Sequence, residues 1–287
     1  MKNLRMNKDM ENKIRSTDIE FILKNTIKNI NELFSKDLKL KDFLAFSSRI
    51  RPQLSLLNLR YLYYKQNSIN EELENNEKVS FSEIKTFQQW RNLNAFVKPN
   101  GKYLYIFSPL LNKESNEISF SVIPVFDVSS TNHIKKPLKK YDKETFNKRI
   151  LDLWNGWNIM WVTSNEIKDH KLILNKLDRT IFINEKYQNG DENYLLIHEF
   201  CHELANHEVA DRKDLLKEFI VVKACEMCYS ALNFESMEKC PRYENYEVLE
   251  VLKQLSNKQK YKLLDDILDL GYKLINYLEI KETNDEK

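Results

Sequence analysis

The stretch LLIHEFCHELANHE, residues 195–208, decides how the second half of this 287-residue chain is interpreted. It contains His198, Glu199 and His202 in the pattern HExxH, and helical spacing places the two histidines one turn apart on the same face. Two such imidazoles can reach one Zn²⁺ at about 2.0–2.1 Å, whereas Glu199 is rotated by about 100° and points beside the metal. Glu199 is therefore placed to accept a proton from a water molecule that the metal activates.

A metal centre of this kind needs a third protein ligand, and the sequence offers two glutamates on the next predicted helix. Glu218 is followed by apolar residues at helical spacing, so its carboxylate projects from an apolar face. A buried carboxylate without a partner is costly, and we expect a cation beside it, with a salt bridge to a lysine as the alternative. Glu226 is the rival ligand, but Lys223 shares its side and indicates a more solvated position. His207 lies too close to His202 in sequence to serve.

The arrangement resembles HExxH metallopeptidases of the ImmA/IrrE type, a module also found at the C-terminus of ArdC-type antirestriction proteins. The resemblance covers about Leu153 to Leu232 and implies a zincin-like fold that hydrolyses peptide bonds. The residues to which it assigns a role, three metal ligands and one base, are His198, His202, Glu218 and Glu199. Val222 stands where those relatives often carry an acidic residue or Asn, which implies weaker polar support around the metal.

Charge is distributed unevenly along the chain, although the net charge is only +2. Residues 1–140 carry 24 Lys and Arg against 15 Asp and Glu, a net charge of +9, and the remainder has a net charge of −7. A basic half joined to an acidic half is typical of a nucleic-acid-binding module attached to a different domain. The alternative is an ordinary basic surface in a lysine-rich protein.

Targeting and disulfide signals are lacking. No continuous apolar run approaches 18 residues, and the N-terminus MKNLRMNKDMENKIRSTD is polar, so we expect a soluble cytoplasmic protein that does not contact membranes. The cysteines show no disulfide spacing. Cys225 and Cys228 form a CxxC within apolar helical sequence, which predicts a buried helical face rather than a zinc ribbon or a redox motif.

Periodicity predicts an α+β fold in both halves. The predicted helices cover residues 19–34, 53–67, 82–93, 144–154, 193–208, 211–233 and 257–280. The predicted strands cover 102–110, 118–128, 170–175 and 179–184, the first two joined as a β-hairpin by a turn at 112–117. The segment HIKKPLKKYDK (133–143) has no apolar periodicity, which indicates a linker. We therefore predict two domains, 1–135 and 149–287, joined by a linker over 136–148, the second being mainly helical with a small sheet.

Four segments of the first half resemble, in order, the N-terminal single-stranded-DNA-binding domain of ArdC-type proteins. They are NLRYLYYKQN (58–67), TFQQW (86–90), VKPNGKYLYIFSP (97–109) and VIPVFDVSST (122–131). The resemblance implies binding of single-stranded DNA without sequence specificity. The chain departs from those relatives where larger residues replace smaller ones at Tyr103 to Phe107 and where the Leu-Gly after Trp90 is absent.

Aromatic and basic side chains are interleaved in these segments. Aromatic faces stack bases at about 1–3 kcal/mol each, and Lys and Arg neutralise phosphates, which suits single strands. The candidate DNA-binding residues are Trp90, Arg91, Lys98, Lys102, Tyr103 and Tyr105. A core position is the alternative for Trp90, whereas Tyr103 and Tyr105 alternate onto one strand face that we expect to be exposed.

These observations predict a DNA-associated, zinc-dependent metallopeptidase-like protein that binds single-stranded DNA and hydrolyses peptide bonds in an unknown protein. Zn²⁺ is the expected ion, and a His₂Glu site also suits Mn²⁺. The alternative is an antirestriction or DNA-protecting protein that cleaves nothing and whose metal is structural. A third hypothesis is a protease that degrades a repressor and whose basic half binds protein.

Overall fold

The computed structural model describes residues 30–74, 78–111, 118–134, 143–168, 170–187, 192–208, 214–232 and 246–279. The chain forms two compact units, Met1–Pro137 and Leu138–Lys287. Each unit combines helices with a three-stranded sheet, so the α+β class predicted for both halves is confirmed.

The first unit is a small sheet with helices before and between its strands. Its elements are helices α1 (Ile30–Phe34), α2 (Asp37–Arg49) and α3 (Leu56–Glu71), strand β1 (Ile84–Lys85), helix α4 (Phe87–Asn92) and strands β2 (Leu104–Leu111) and β3 (Ile118–Asp127). Strand β3 lies in the centre and pairs antiparallel with both neighbours. The predicted hairpin is confirmed, since Leu104 pairs with Val125 and Leu111 with Ile118.

Two elements of the first unit differ from the sequence prediction. The helix predicted over 82–93 is shorter, because Ile84 and Lys85 pair with the end of β3 and Thr86 then caps helix α4 in a capping box with Gln89. Helix α2 was not predicted, yet it buries Phe43 and Phe46 completely. The β1 difference arises from a long-range strand pairing that local periodicity does not report.

Asn58 on helix α3 forms two side-chain hydrogen bonds with the outer edge of strand β2. Its side-chain amide donates to the Phe107 carbonyl at 3.0 Å, and its oxygen accepts from the Phe107 amide at 2.7 Å. A single buried side chain thus replaces the backbone partner that another strand would supply at this edge.

The second unit is mainly helical with a small sheet, as predicted. Its elements are helix α5 (Lys143–Leu153), strands β4 (Asn158–Val162), β5 (Leu172–Asn175) and β6 (Thr180–Asn184), and helices α6 (Glu192–Leu204), α7 (Leu215–Ala231), α8 (Tyr246–Gln254) and α9 (Asn257–Glu279). Strand β6 is central, parallel to β4 and antiparallel to β5. Helix α7 packs against α6 and α9. Cys225 and Cys228 are fully buried, which confirms the buried-face interpretation of the CxxC.

The predicted boundaries are only partly covered by the described residues. Helix α5 begins at Lys143, inside the range 136–148 assigned to a linker, because Phe146 is already buried in the second unit. Strand β4 and helix α8 were not predicted. The N-terminal part of the helix predicted over 19–34, the turn at 112–117, residues 135–142 and Cys240 lie outside the described residues. Within the described residues, no helix is both long and apolar enough to cross a bilayer.

Replacing Asn58 with Leu tests the edge contact. The variant keeps the side-chain size but leaves the Phe107 amide and carbonyl without their partner, which we expect to destabilise the first unit by about 1–3 kcal/mol. Urea unfolding and amide hydrogen exchange of strand β2 measure the change. Asn92→Leu, at an exposed position at the end of α4, is the matched control. Equal stability of the two variants would contradict the assignment.

Candidate metal centre

Helix α6 carries the two histidines of the HExxH pattern on one face and apolar residues on another. Ile197 and Cys201 are fully buried and fix the helix in the second unit. His198 and His202 lie one turn apart, with 14 % and 1 % of their side chains exposed. Their Nε2 atoms are 3.2 Å apart, so both rings point to one place, as the spacing predicts.

Helix α7 brings Glu218 to the same place. The helix begins after Asp214, whose carboxylate accepts from the backbone amides of Leu216 and Lys217, and Glu218 therefore lies in the first turn. Its two oxygens lie 3.0 Å from His198 Nε2 and 3.1 Å from His202 Nε2. One donor atom from each of the three residues thus lies within 4.8 Å of the others.

Electrostatics keep the Glu218 carboxyl ionised. Burial raises its pKa, but hydrogen bonds from the His198 and His202 rings, together with their attraction when these rings are protonated, outweigh burial and lower the pKa to about 2. A carboxylate at neutral pH is the protonation state that a metal ligand requires.

This donor set fits a divalent cation. Two imidazole nitrogens and one carboxylate oxygen are ligands that suit Zn²⁺, and three protein ligands leave a further position open, as in catalytic zinc sites. Imidazole and carboxylate ligands also accept Mn²⁺, so the residues indicate a divalent metal without selecting zinc. Within the described ranges, His198, His202 and Glu218 are the group of His, Cys, Asp and Glu that could hold an ion.

Glu199 and Glu226 have different positions relative to this centre. Glu199 follows His198 on helix α6, and one of its carboxylate oxygens is buried. Glu226 is two turns along α7 and accepts from Lys223 Nζ at 3.1 and 2.9 Å. The expectation that Glu226 is more solvated was wrong, since Lys223 and Glu226 are both buried. The structure brings Glu218, and not Glu226, to the histidines.

His207 contacts His202 on the side away from Glu218. The Nδ1 atoms of His202 and His207 are 3.1 Å apart, whereas His202 uses Nε2 toward the carboxylate. His207 is therefore outside the ligand set, as its spacing predicts, but the sequence pattern predicts no other role for it. Its position three residues beyond the end of helix α6 is the signal that could have identified it. Val222 is buried and contributes no polar group.

The candidate DNA-binding residues of the first unit separate into a core residue and a surface group. Trp90 is fully buried and donates through Nε1 to the Phe126 carbonyl at 2.9 Å, so its ring cannot stack on a base. This corrects its assignment to the DNA-binding set. The basic members of the set, Arg91, Lys98 and Lys102, are exposed.

Tyr103 and Tyr105 form an aromatic pair beside this basic group. Their ring centroids are 5.4 Å apart in an edge-to-face arrangement. Tyr103 is 51 % exposed, as expected, whereas Tyr105 is only partly exposed. Burial, together with the hydrogen bond with Tyr103, raises the pKa of Tyr105 to about 12, so the hydroxyl keeps its proton. Tyr103 is therefore the better-placed stacking residue of the two.

A cavity of about 200 Å³ lies next to the turn that carries Lys98 and Lys102. Its lining combines both lysines with the apolar residues Phe81 and Leu104. The backbone at Gly101 approaches the backbone at Ser130 closely. A Cβ atom at position 101 would lie only 2.8 Å from the Ser130 carbonyl oxygen. The segment 98–102 thus places two lysines beside a partly apolar depression.

Comparison with known proteins finds similarity to solved structures, among them two of one protein. No protein-family model matches the chain, and no curated protein matches it in sequence. The metal-free crystal structure of the antirestriction protein ArdC from plasmid R388 is similar at a TM-score of 0.44 and 12% identity, covering 90% of this chain and 97% of that one. The Mn(II)-bound structure of the same protein gives 0.43 and 11%, with 84% and 98% covered.

The geometry predicts opposite outcomes for the two glutamates of helix α7. Glu218→Gln removes a charged ligand and is expected to abolish stoichiometric binding of Zn²⁺, as is His202→Ala. Glu226→Gln, the matched control on the same helix, is expected to retain about one ion per chain, because Glu226 contacts Lys223 instead. Elemental analysis and isothermal titration measure the stoichiometry. Loss of metal from Glu226→Gln with intact helical content would show that the ligand assignment is wrong.

Proposed function

We propose that the second unit is a metal-dependent peptidase-like domain. The observation that carries the proposal is the convergence of His198, His202 and Glu218, with Glu199 next to the first histidine on the same helix. This combination supplies three ligands and a separate carboxylate, which is the set that metal-assisted hydrolysis of an amide requires. The resemblance to ImmA/IrrE-type metallopeptidases supports the same assignment.

In this proposal each side chain has a distinct task. His198, His202 and Glu218 hold a divalent ion, Zn²⁺ or Mn²⁺. When bound, such an ion supplies Lewis-acid polarisation of a carbonyl and lowers the pKa of water. Glu199 accepts the proton of the attacking water and afterwards donates it to the leaving amine. The partly buried position of His198 and Glu218 restricts water around the reacting groups.

We further propose that the first unit binds single-stranded DNA. The exposed Tyr103 and the exposed Lys98 and Lys102 place a stacking surface and two positive charges along one short segment of chain. Stacking and phosphate neutralisation together suit single strands of any sequence. The resemblance of the first half to the DNA-binding domain of ArdC-type proteins supports this assignment, and the whole protein would then act as a DNA-associated hydrolase.

Replacing Glu199 with Gln separates the base from the ligands. The variant is expected to keep metal stoichiometry while peptidase activity falls by about 10²–10⁴-fold, the usual contribution of general base catalysis. Cleavage of a fluorogenic peptide library and of denatured protein measures the activity. Glu203→Gln is the matched control, since Glu203 lies on the same helix and pairs with Lys176 at 2.8 Å. Loss of metal from Glu199→Gln would instead make Glu199 a ligand.

The same variant distinguishes the enzyme from a binding protein. If Glu199→Gln retains the full cellular effect, such as protection of incoming DNA from restriction, hydrolysis is not the function. The metal would then be structural and the protein a non-proteolytic antirestriction factor, the alternative that the sequence resemblance also allows.

Substitutions in the basic turn test DNA binding of the full chain. Lys98→Ala with Lys102→Ala is expected to lower the slope of log K against log salt by about 0.7 per lysine for single strands. Tyr103→Ala is expected to weaken binding by about 1–3 kcal/mol, whereas Tyr103→Phe keeps the stacking ring and the affinity. Fluorescence anisotropy with unrelated oligonucleotides measures both effects.

The control for the lysine pair is Lys253→Ala with Lys258→Ala. Both lysines are exposed in the second unit and give the same change in net charge. An equal change of salt slope in the two double variants would mean that the turn is an ordinary basic surface.

A further inference from the structure

Helix α6 ends in a defined turn just beyond the metal-binding face. Asn206 has a positive φ of 53°, the left-handed conformation that stops a helix. The His207 amide donates to the His202 carbonyl at 3.0 Å, and the Asn206 amide donates to the Glu203 carbonyl at 3.1 Å. These are the two hydrogen bonds of a Schellman motif, in which the residue after the left-handed position folds back over the last turn.

The motif places the side chain of His207 against that of His202. The two Nδ1 atoms are 3.1 Å apart, and the ring centroids are 5.4 Å apart. In most Schellman motifs the corresponding contact is apolar. Here it joins two imidazoles, one of which is the most deeply buried residue of the candidate metal centre.

The two nitrogens of His202 therefore face different groups. Nε2 lies 3.1 Å from Glu218, and Nδ1 lies against His207. As a ligand through Nε2, His202 must carry its proton on Nδ1, because a neutral imidazole holds only one. This Nδ1–H then donates to His207 Nδ1, and His207 keeps its own proton on Nε2.

Burial makes this partner necessary. His202 is only 1 % exposed, so an Nδ1–H without His207 would be a buried donor with restricted access to water. His198 differs, since its buried Nδ1 has no hydrogen-bond partner among the described residues. Of the two histidine ligands, His202 is thus the one whose ring orientation is fixed by a second side chain.

We propose that His207 is a positioning residue for the metal centre, holding His202 in the tautomer and ring orientation that binding through Nε2 requires. The proposal rests on the proposed metal-binding function of His198, His202 and Glu218. Residues that orient a metal ligand in this way commonly change metal affinity by about 10–100-fold when they are removed. His207 acts through His202 and does not itself contact the ion.

The test compares two substitutions of His207 in the full chain. His207→Leu keeps an atom near the position of Nδ1 but cannot accept a hydrogen bond, and we expect Zn²⁺ affinity to fall by about 10–100-fold. His207→Asn places an amide oxygen near the same position and is expected to restore affinity to within a few-fold of wild type. Competition with a chromophoric chelator measures affinity, and the absorption bands of the Co²⁺-substituted protein report the ligand geometry.

The outcomes separate this inference from the proposed function. Wild-type protein that takes up none of Zn²⁺, Mn²⁺ and Co²⁺ overturns both. Wild-type protein that binds metal, together with His207→Leu of unchanged affinity and unchanged Co²⁺ spectrum, overturns the role of His207 alone. Equal loss of affinity in the Leu and Asn variants also overturns it, because packing would then explain the effect.

A direct measurement on wild-type protein does not depend on the folding of any variant. Long-range ¹H–¹⁵N correlation spectra of the Zn²⁺-loaded chain assign the proton-bearing nitrogen of each histidine. We expect the proton of His202 on Nδ1 and that of His207 on Nε2. A proton on His207 Nδ1 in the loaded protein would overturn the proposal.

Discussion

The chemistry of the second unit depends on one interaction, the Glu218 carboxylate held between the imidazoles of His198 and His202. Each carboxylate oxygen faces one Nε2 atom at about the distance of a hydrogen bond. The two helices also meet in the core, where Cys201 Sγ and Cys225 Sγ are 3.6 Å apart. Apolar packing thus brings helices α6 and α7 together and places the polar residues at their margin close to one another.

The two glutamates of helix α7, Glu218 and Glu226, contact different partners. Lys223 and Glu226 form a buried ion pair one turn apart, which satisfies both charges within the helix. Glu218 instead contacts His198 and His202. The Lys223–Glu226 pair therefore lies outside the group of donors that could hold a metal ion.

In the first unit, buried polar side chains fix the positions of the surface segments. Asp127 is almost fully buried, and its two oxygens accept from the amides of Ser82 at 2.8 Å and Ser129 at 3.0 Å. Lys98 Nζ in turn donates to the Ser129 carbonyl at 3.0 Å. Asp127 and Lys98 thus both bind residue 129, so the network around the buried Asp127 also positions the exposed Lys98.

The sequence by itself determined those features whose physical basis is local. The i, i+4 spacing of His198 and His202 places both rings on one helical face wherever the helix lies, and strand alternation with a turn predicts the β2–β3 hairpin. Local patterns also identified helix α9, which follows a regular apolar period over residues 257–279. They did not identify strand β4, since its five residues are mostly exposed and become a strand only by pairing with β6.

Tertiary structure decided which of several similar residues has a role. Glu218 and Glu226 lie on one helix, and only the packing of α7 against α6 determines which carboxylate meets the histidines. Trp90 has aromatic character suited to stacking, but packing against Ala95, Phe126 and Val128 places it in the core. His207 was excluded as a ligand by spacing, whereas its contact with His202 depends on the positive φ of Asn206. Sequence spacing fixes directions on one element, but distances between elements follow from the packing of the whole chain.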